Sequence, residues 1–475
     1  MKKELLITIA ILTTGAVHGA IPQRTDSITL TLQQAREKAL QTNKEMEKSG
    51  LMSEQRHHDA KAYRSNFYPR VSLLATDLYS TASGSMTIQG GHLPIYLLNP
   101  TTGTYVPNVT VGADGGYTLN EYADFPSQSL KYKVKNVFVG GIMLQQPLYM
   151  GGKISAAYEM AQIAENMAAT NQQLTKAQTI LDTDEAYCSA IQAKELTQVA
   201  YAYLQLVDEL HKNVSAAIRH GLKTRNDLLK VEVKRNEALL NIQRAENGYR
   251  LASMNLCHQT GLPLDTPLNL LAPDQEPTQT KINLQSADVT SQSINSRPET
   301  EILQQRTELA NQQVKLTRSD YLPQVALVGG YNYTNGGELA GKKFLDNGSA
   351  HVGLTLKVPL LNFGESSNKL RSVRAQQQMA QLELDDKKEM MQLELQQARN
   401  NLQEAITESQ LTQTALQQAA ENVKQSRQQY DVGMEPISQL LEAQALWQQA
   451  AANDVVARCK IITAHTRWLK AAGKL

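Results

Sequence analysis

Two stretches of this chain follow one plan with one spacing. In the first, an alternating segment ends in Gln146-Pro147-Leu148, a short turn follows at Met150-Gly151-Gly152, and no helix breaker appears until Gly221. In the second, Val358-Pro359-Leu360 leads through the turn Asn362-Phe363-Gly364 to Gly433. Gly221 lies 74 residues after Pro147, and Gly433 lies 74 residues after Pro359. A turn and a helical restart follow each glycine, with Leu228-Leu229 in the first copy answered by Leu440-Leu441 in the second. A period kept to the residue over this length marks one supersecondary unit used twice.

The unbroken stretches are expected to be helices over Lys153 to about Arg219 and Glu365 to about Tyr430. At ~1.5 Å per residue, ~67 residues give a rod of about 100 Å. Such a rod is not stable on its own hydrogen bonds and needs partners along its length. Ile154, Tyr158, Ala161, Leu174, Leu181, Tyr187, Cys188, Ile191, Leu206 and Leu210 fall on stripes spaced by three and four, which supply a packing face. The return helices are expected from Asp227 to about Leu262 and from Ile437 to about Ala472. With 15 Pro and 5% aromatic residues in 475, the composition suits extended helices better than a compact globule.

The chain opens like an export signal over residues 1–20, with basic Met1-Lys2-Lys3, an apolar run from Leu5 to Thr14, and small residues around Val17 to Ala20. No cysteine stands near that cleavage region, which argues against a lipid anchor there. Removing the segment leaves 45 basic and 45 acidic residues, so no charge excess points to nucleic acid. No later apolar run approaches the ~18 residues that a membrane helix requires. If this protein crosses a membrane, it does so with strands.

In order, the first repeat spans 21–264, a connector 265–296 and the second repeat 297–475. A first helix is expected from an N-cap at Thr31 to about Phe67, where Tyr68-Pro69 stops it. Strands follow at about 70–80 and 137–148, separated by a Gly-, Pro- and Tyr-rich loop at 83–135 that is 42 residues longer than its counterpart. Asp77 falls on the face of Leu73 in the first strand, which a bulge or lumen-facing polarity would explain. Ser296 is the expected N-cap of a helix with Pro298 in its first turn. Strands at about 325–334 and 350–361 alternate more cleanly, with Val325, Leu327, Tyr331, Val352, Leu354 and Leu356 on one face and Asn332, Thr334, His351 and Lys357 on the other.

Four strands cannot close into a bilayer barrel, and open edges in lipid leave backbone groups unsatisfied. The chain is therefore expected to oligomerise, with two copies supplying eight strands or three supplying twelve.

The start Leu30-Thr-Leu-x-x-Ala-x-x-x-Ala-Leu-x-x-Asn43, the strand entries Tyr68-Pro69 and Leu322-Pro323, the Pro-Leu-x-x-x-Gly segments at 147–152 and 359–364, and Tyr430-x-x-Gly433 together resemble the TolC-type outer-membrane efflux proteins. The resemblance implies a mainly α fold with a membrane β-barrel portion. It also implies a homotrimer whose twelve-stranded barrel in outer-membrane lipid continues into an α-helical tunnel in the periplasm. Such a trimer would be the exit duct of a tripartite efflux or type I secretion system, docked to a periplasmic adaptor and an inner-membrane pump of the RND or ABC type. The hairpin turns at Gly221 and Gly433 would form the periplasmic mouth. There the positions matching the family's entrance residues are Asp227, Tyr430, Glu435, Gln439 and Glu442. Gln439 stands where the family often has Asp, and Glu435 where it often has a base. Three copies of Asp227 and Glu442 would make an acidic ring that disfavours anions and responds to divalent cations.

No enzyme site emerges. His57-His58 points to different helix faces and suits an exposed polar patch better than a metal pair, and His220 suits a turn. No phosphate loop or nucleophile elbow appears, and no cofactor or metal site is expected. Cys188, Cys257 and Cys459 suit helix packing, although an antiparallel hairpin would bring Cys188 and Cys257 level for a disulfide. A periplasmic adaptor is the closest rival, but adaptors carry one helical hairpin in a β-rich body, and this chain has two.

Overall fold

The computed structural model describes residues 28–271 and 294–475. The expected export signal and most of the 265–296 connector lie outside the described residues. Two compact units divide the chain, one built from residues 28–56, Glu165–Thr307 and Ala380–Leu475, the other from His57–Ala164 and Glu308–Met379.

In the second unit, β2 (Arg70–Ile88), β9 (Gln128–Tyr149), β11 (Gln324–Leu339) and β12 (Lys342–Lys357) form one antiparallel sheet in the order β12-β11-β9-β2. The strands are longer than the sequence pattern indicates. β2 runs past residue 80 to Ile88 and β9 begins at Gln128, so the loop shrinks to 89–127 and holds three small strand pairs: β3 (Gly91–Pro94) with β8 (Tyr122–Phe125), β4 (Tyr96–Leu98) with β5 (Tyr105–Pro107), and β6 (Val109–Val111) with β7 (Tyr117–Leu119). Ladder hydrogen bonds carried the pairing into polar sequence where alternation is weak. At the other end β12 stops at Lys357 and does not reach 361, because Pro359 cannot donate to a ladder.

Register places Val71 and Leu73 opposite Leu144 and Ile142, and these in line with Gly329, Tyr331, Val352 and Ala350. That face is apolar and exposed, with Leu73 at 77% and Val352 at 78%. A bulge in β2 lies between Tyr79 and Ala82, beyond Asp77, and leaves Asp77 on the apolar face opposite Phe138. Phe138 packs against Tyr333 with ring centroids 6.4 Å apart, so Asp77 sits level with an aromatic pair of the kind that marks a membrane–water interface. Tyr149 lies opposite Val325 at the other end. Ten residue steps along β11 from Val325 to Asn335, at ~3.3 Å each and a tilt of ~40°, span about 25 Å, the height of an outer-membrane apolar band.

The first unit is helical. α1 (Leu32–Thr42) starts with a capping box in which Thr31 accepts from the Gln34 amide and the Gln34 side chain accepts in return, as Thr31 at the N-cap predicts. The expected single helix to Phe67 is broken at Asn43, which is extended (φ −69°, ψ 130°) and separates α1 from α2 (Lys44–Arg64). The Asn43 side chain donates to the Gln259 carbonyl at 3.2 Å and accepts from the Glu45 amide at 2.8 Å, so local bonding to Asn replaces the continuous ladder. α3 (Lys153–Arg219) and α4 (Arg225–Gln259) form the first hairpin. α5 (Pro298–Ser319) has Pro298 at its first position, but Arg297, not Ser296, precedes it and accepts the first helical bonds from Thr300 and Glu301. α6 (Glu365–Asp431) and α7 (Ile437–Ala471) form the second hairpin.

β1 (Ile28–Leu30) pairs in parallel with β10 (Leu268–Leu270), beside a core of Tyr187, Ile191, Leu256 and all three cysteines. The Tyr187 hydroxyl lies 2.9 Å from the Leu30 carbonyl and 2.8 Å from that of Leu271. All three cysteines are free and buried, so no Cys188–Cys257 disulfide forms. Nearby, fully buried Asp184 accepts from Arg36 Nε at 2.6 Å and Nη2 at 2.5 Å, and from Thr466 Oγ1 at 2.6 Å, tying α1, α3 and α7 together. No described helix is long and apolar enough to cross a membrane.

Candidate functional site

Both hairpin turns close by the same hydrogen bonds. The Gly221 amide donates to the Ile218 carbonyl at 2.9 Å and that of Leu222 to Ala217 at 2.9 Å; Gly433 donates to Tyr430 at 3.1 Å and Met434 to Gln429 at 2.8 Å. This pairing is a Schellman motif, whose pivot residue takes a left-handed backbone. Gly221 and Gly433 hold φ of 73° and 78°, where any side chain is strained.

The two restarts differ. Thr224 caps α4 by accepting from the Asp227 amide at 3.3 Å, and Asp227 Oδ2 accepts from the Thr224 amide at 3.2 Å and its hydroxyl at 2.8 Å. That hydroxyl bond, against a smaller cost of burial, holds the Asp227 carboxyl below the usual carboxylate range. α7 begins instead at Pro436, whose carbonyl accepts from the Gln439 amide at 3.1 Å without a side-chain cap.

Tyr430 is buried in the last turn of α6, and the Lys223 ammonium sits over its ring at 4.3 Å. Burial, then the charges of Asp227 and Asp431, push its phenol above the ordinary value. Asp227, Lys223 and Tyr430 thus come together where the two hairpins meet. Glu435 folds back to accept a bond from the Ser426 hydroxyl and joins a different helix turn. Gln439 and Glu442 lie one turn apart on the exposed side of α7, and among the described residues neither side chain has a hydrogen-bond partner.

Beneath the turns Val207, Leu210 and Val214 of α3 pack with Val231 of α4, Tyr430 of α6, and Ile437, Leu440 and Leu441 of α7. The Leu228-Leu229 and Leu440-Leu441 pairs are therefore not equivalent: both second-copy leucines are buried, whereas Leu229 is exposed. Two further links were not legible in the sequence. Arg427 makes a forked pair with Glu209 at 2.6 and 3.2 Å and holds that carboxyl low through hydrogen bonding and then charge, and Arg235 reaches Asp208 at 2.6 Å. Charged residues on opposite helices are paired only by interhelical register, which a single sequence does not encode. These links are exposed, and such pairs contribute about 0–1 kcal/mol each.

The chain matches the family described as Outer membrane efflux protein over residues 35–262 and 289–474. Protein CyaE of Bordetella pertussis is 23% identical over 337 residues, 71% of each chain. The alkaline protease secretion protein AprF of Pseudomonas aeruginosa is 26% identical over 255 residues, which span 53% of this chain and only 52% of AprF. The crystal structure of the outer membrane protein VceC of Vibrio cholerae superimposes with a TM-score of 0.70 at 15% identity, over 93% of this chain and 96% of that one. With the match running through both repeats, this chain belongs to the outer membrane efflux protein family and is an exit duct of the outer membrane whose helical part lies in the periplasm.

Proposed function

We propose that three copies join edge to edge, β2 of one protomer to β12 of the next, into a twelve-stranded barrel, and that the hairpin turns form its periplasmic mouth. The observation that carries this is the four-stranded sheet itself: it presents an apolar face about 25 Å tall, and both of its edges are open. Open edges at bilayer depth cost several kcal/mol per unsatisfied group, which closure removes. A periplasmic adaptor and an inner-membrane pump of the RND or ABC type deliver cargo to the mouth. Exposed Leu222, Val432 and Met434 at the turn tips suit contact with such an adaptor. Efflux is the role in the family's description, and the name of AprF supports secretion of a protein as a second use of the same duct. The decisive experiment is fractionation followed by native electrophoresis: recovery as a detergent-stable trimer in the outer membrane supports the duct, and a soluble periplasmic monomer refutes it.

At the mouth, Asp227 and Glu442 in three copies form an acidic ring that favours cations. Glu442 is the freer of the two, since Asp227 is committed to Thr224. Single-channel recordings of Asp227→Asn and Glu442→Gln test this, and unchanged cation selectivity in both removes the ring.

A further inference from the structure

We propose that the wall of the barrel lumen is cationic, so that the outer part of the duct favours anionic cargo. The inference rests on the trimeric duct proposed above and concerns a different part of it from the mouth. Register assigns each charge to a face. Glu338 lies opposite both Lys133 and Lys343, with Lys131 two residues further along β9, and these face away from the apolar side. Arg70, opposite Gln145, and Lys357, opposite Gln324, share that side near its other end. Among the described side chains of the four strands, the polar face thus carries five cations and one anion. On the apolar face the charges are Asp77, Lys342 and Asp346, with Asp346 accepting from the Tyr333 hydroxyl at 2.8 Å. The excess is therefore confined to one side of the sheet. All five cations are solvent-exposed, and none of the four lysines among them has a carboxylate within ion-pair distance in the described structure.

Geometry makes this excess effective. Twelve strands ~4.8 Å apart and tilted by ~40° close with a backbone radius of about 12 Å. A lysine side chain reaches ~6 Å inward, which leaves the axis within the ~10 Å over which charge is screened at 0.1 M salt. Three copies of a net surplus of four give a ring field that an ion on the axis feels, concentrated at Lys131, Lys133 and Lys343. Rings of lysine or arginine select anions in pores. The cargo class follows: solutes or protein segments with exposed carboxylate or phosphate groups pass this wall more readily than cationic ones.

The test is the reversal potential of purified trimers in planar bilayers across a KCl gradient. The triple variant Lys131→Gln, Lys133→Gln, Lys343→Gln is compared with Lys342→Gln, which changes the adjacent charge on the outward face of the sheet. The triple variant is expected to lower the chloride-to-potassium permeability ratio by about twofold or more, and Lys342→Gln is expected to leave it unchanged. An unchanged ratio in a conducting triple variant, or an equal shift from Lys342→Gln, overturns the proposal and leaves the duct standing. Absence of conductance from the wild-type protein overturns the duct and the cationic wall together.

Discussion

Asp184 offers the sharpest test of how the helical unit is held. Its carboxylate is fully buried and is met by both Arg36 nitrogens and by Thr466, whereas the Arg36 side chain keeps 34% of its surface in water. The two ends of this pair are thus unequal. Asp184→Ala leaves a guanidinium that can turn to solvent, and Thr466 retains its bond to the Ile462 carbonyl at 3.2 Å. Its cost belongs at the low end of the range for breaking a buried pair, about 3 kcal/mol. Arg36→Ala strands a carboxylate with a single donor and costs more, about 4–5 kcal/mol. The double variant removes the orphan and is expected to be more stable than Arg36→Ala alone. Thermal unfolding of the detergent-solubilised protein at one scan rate reads the order, and a fixed rate matters because such unfolding is irreversible. If Arg36→Ala is milder than Asp184→Ala, or the double variant is the least stable of the three, the argument from unequal burial is wrong.

Gly433→Ala meets open space but forces a side chain into a left-handed backbone, and is expected to cost about 1–2 kcal/mol, while Gly248→Ala inside α4 also meets open space and gains about 0.5–1 kcal/mol; opposite shifts in melting temperature check the pair. Burial, helped by the Arg36 charge, depresses the pKa of His465, so its contribution to stability is fully present above the ordinary value near ~6.5 and is lost as pH falls through the depressed folded value. His465→Gln should flatten the loss of stability below about pH 6.5, and an unchanged pH profile would count against it. Burial likewise pushes the Cys188 thiol up, followed by the nearby Cys459. All three thiols should resist a thiol reagent in the native protein and react on denaturation without a reductant; fewer than three would mean that a disulfide had formed.

Much of the fold was legible because its signals are local. Glycine at 221 and 433 is required where a helix ends in a left-handed turn, Thr31 and Gln34 sit at capping-box spacing, and a 74-residue period is visible without knowing any contact. The break at Asn43, the start of α5 beyond Ser296 and the extension of β2 and β9 past the alternating residues were not. Each depends on a partner brought from far along the chain, as when Gln259 meets Asn43.

The same division holds at the hairpin turns. The family resemblance singled out Asp227, Tyr430, Glu435, Gln439 and Glu442, and their nearness along the chain to Gly221 and Gly433 set them beside the two turns. Which of them touch was decided partly within each turn, where Asp227 closes the capping box with Thr224 and Glu435 turns back to Ser426, and partly by interhelical register, which settles Lys223 on Tyr430 and leaves Glu442 in water. By itself the sequence determined two repeats, their turns and the alternation of an oil-facing sheet, because backbone sterics and hydrophobic period act within a few residues. Only the tertiary structure assigned partners to the charges, on the helices and across the strands, because a salt bridge or a shared sheet face joins residues whose separation along the chain carries no record of their distance in space.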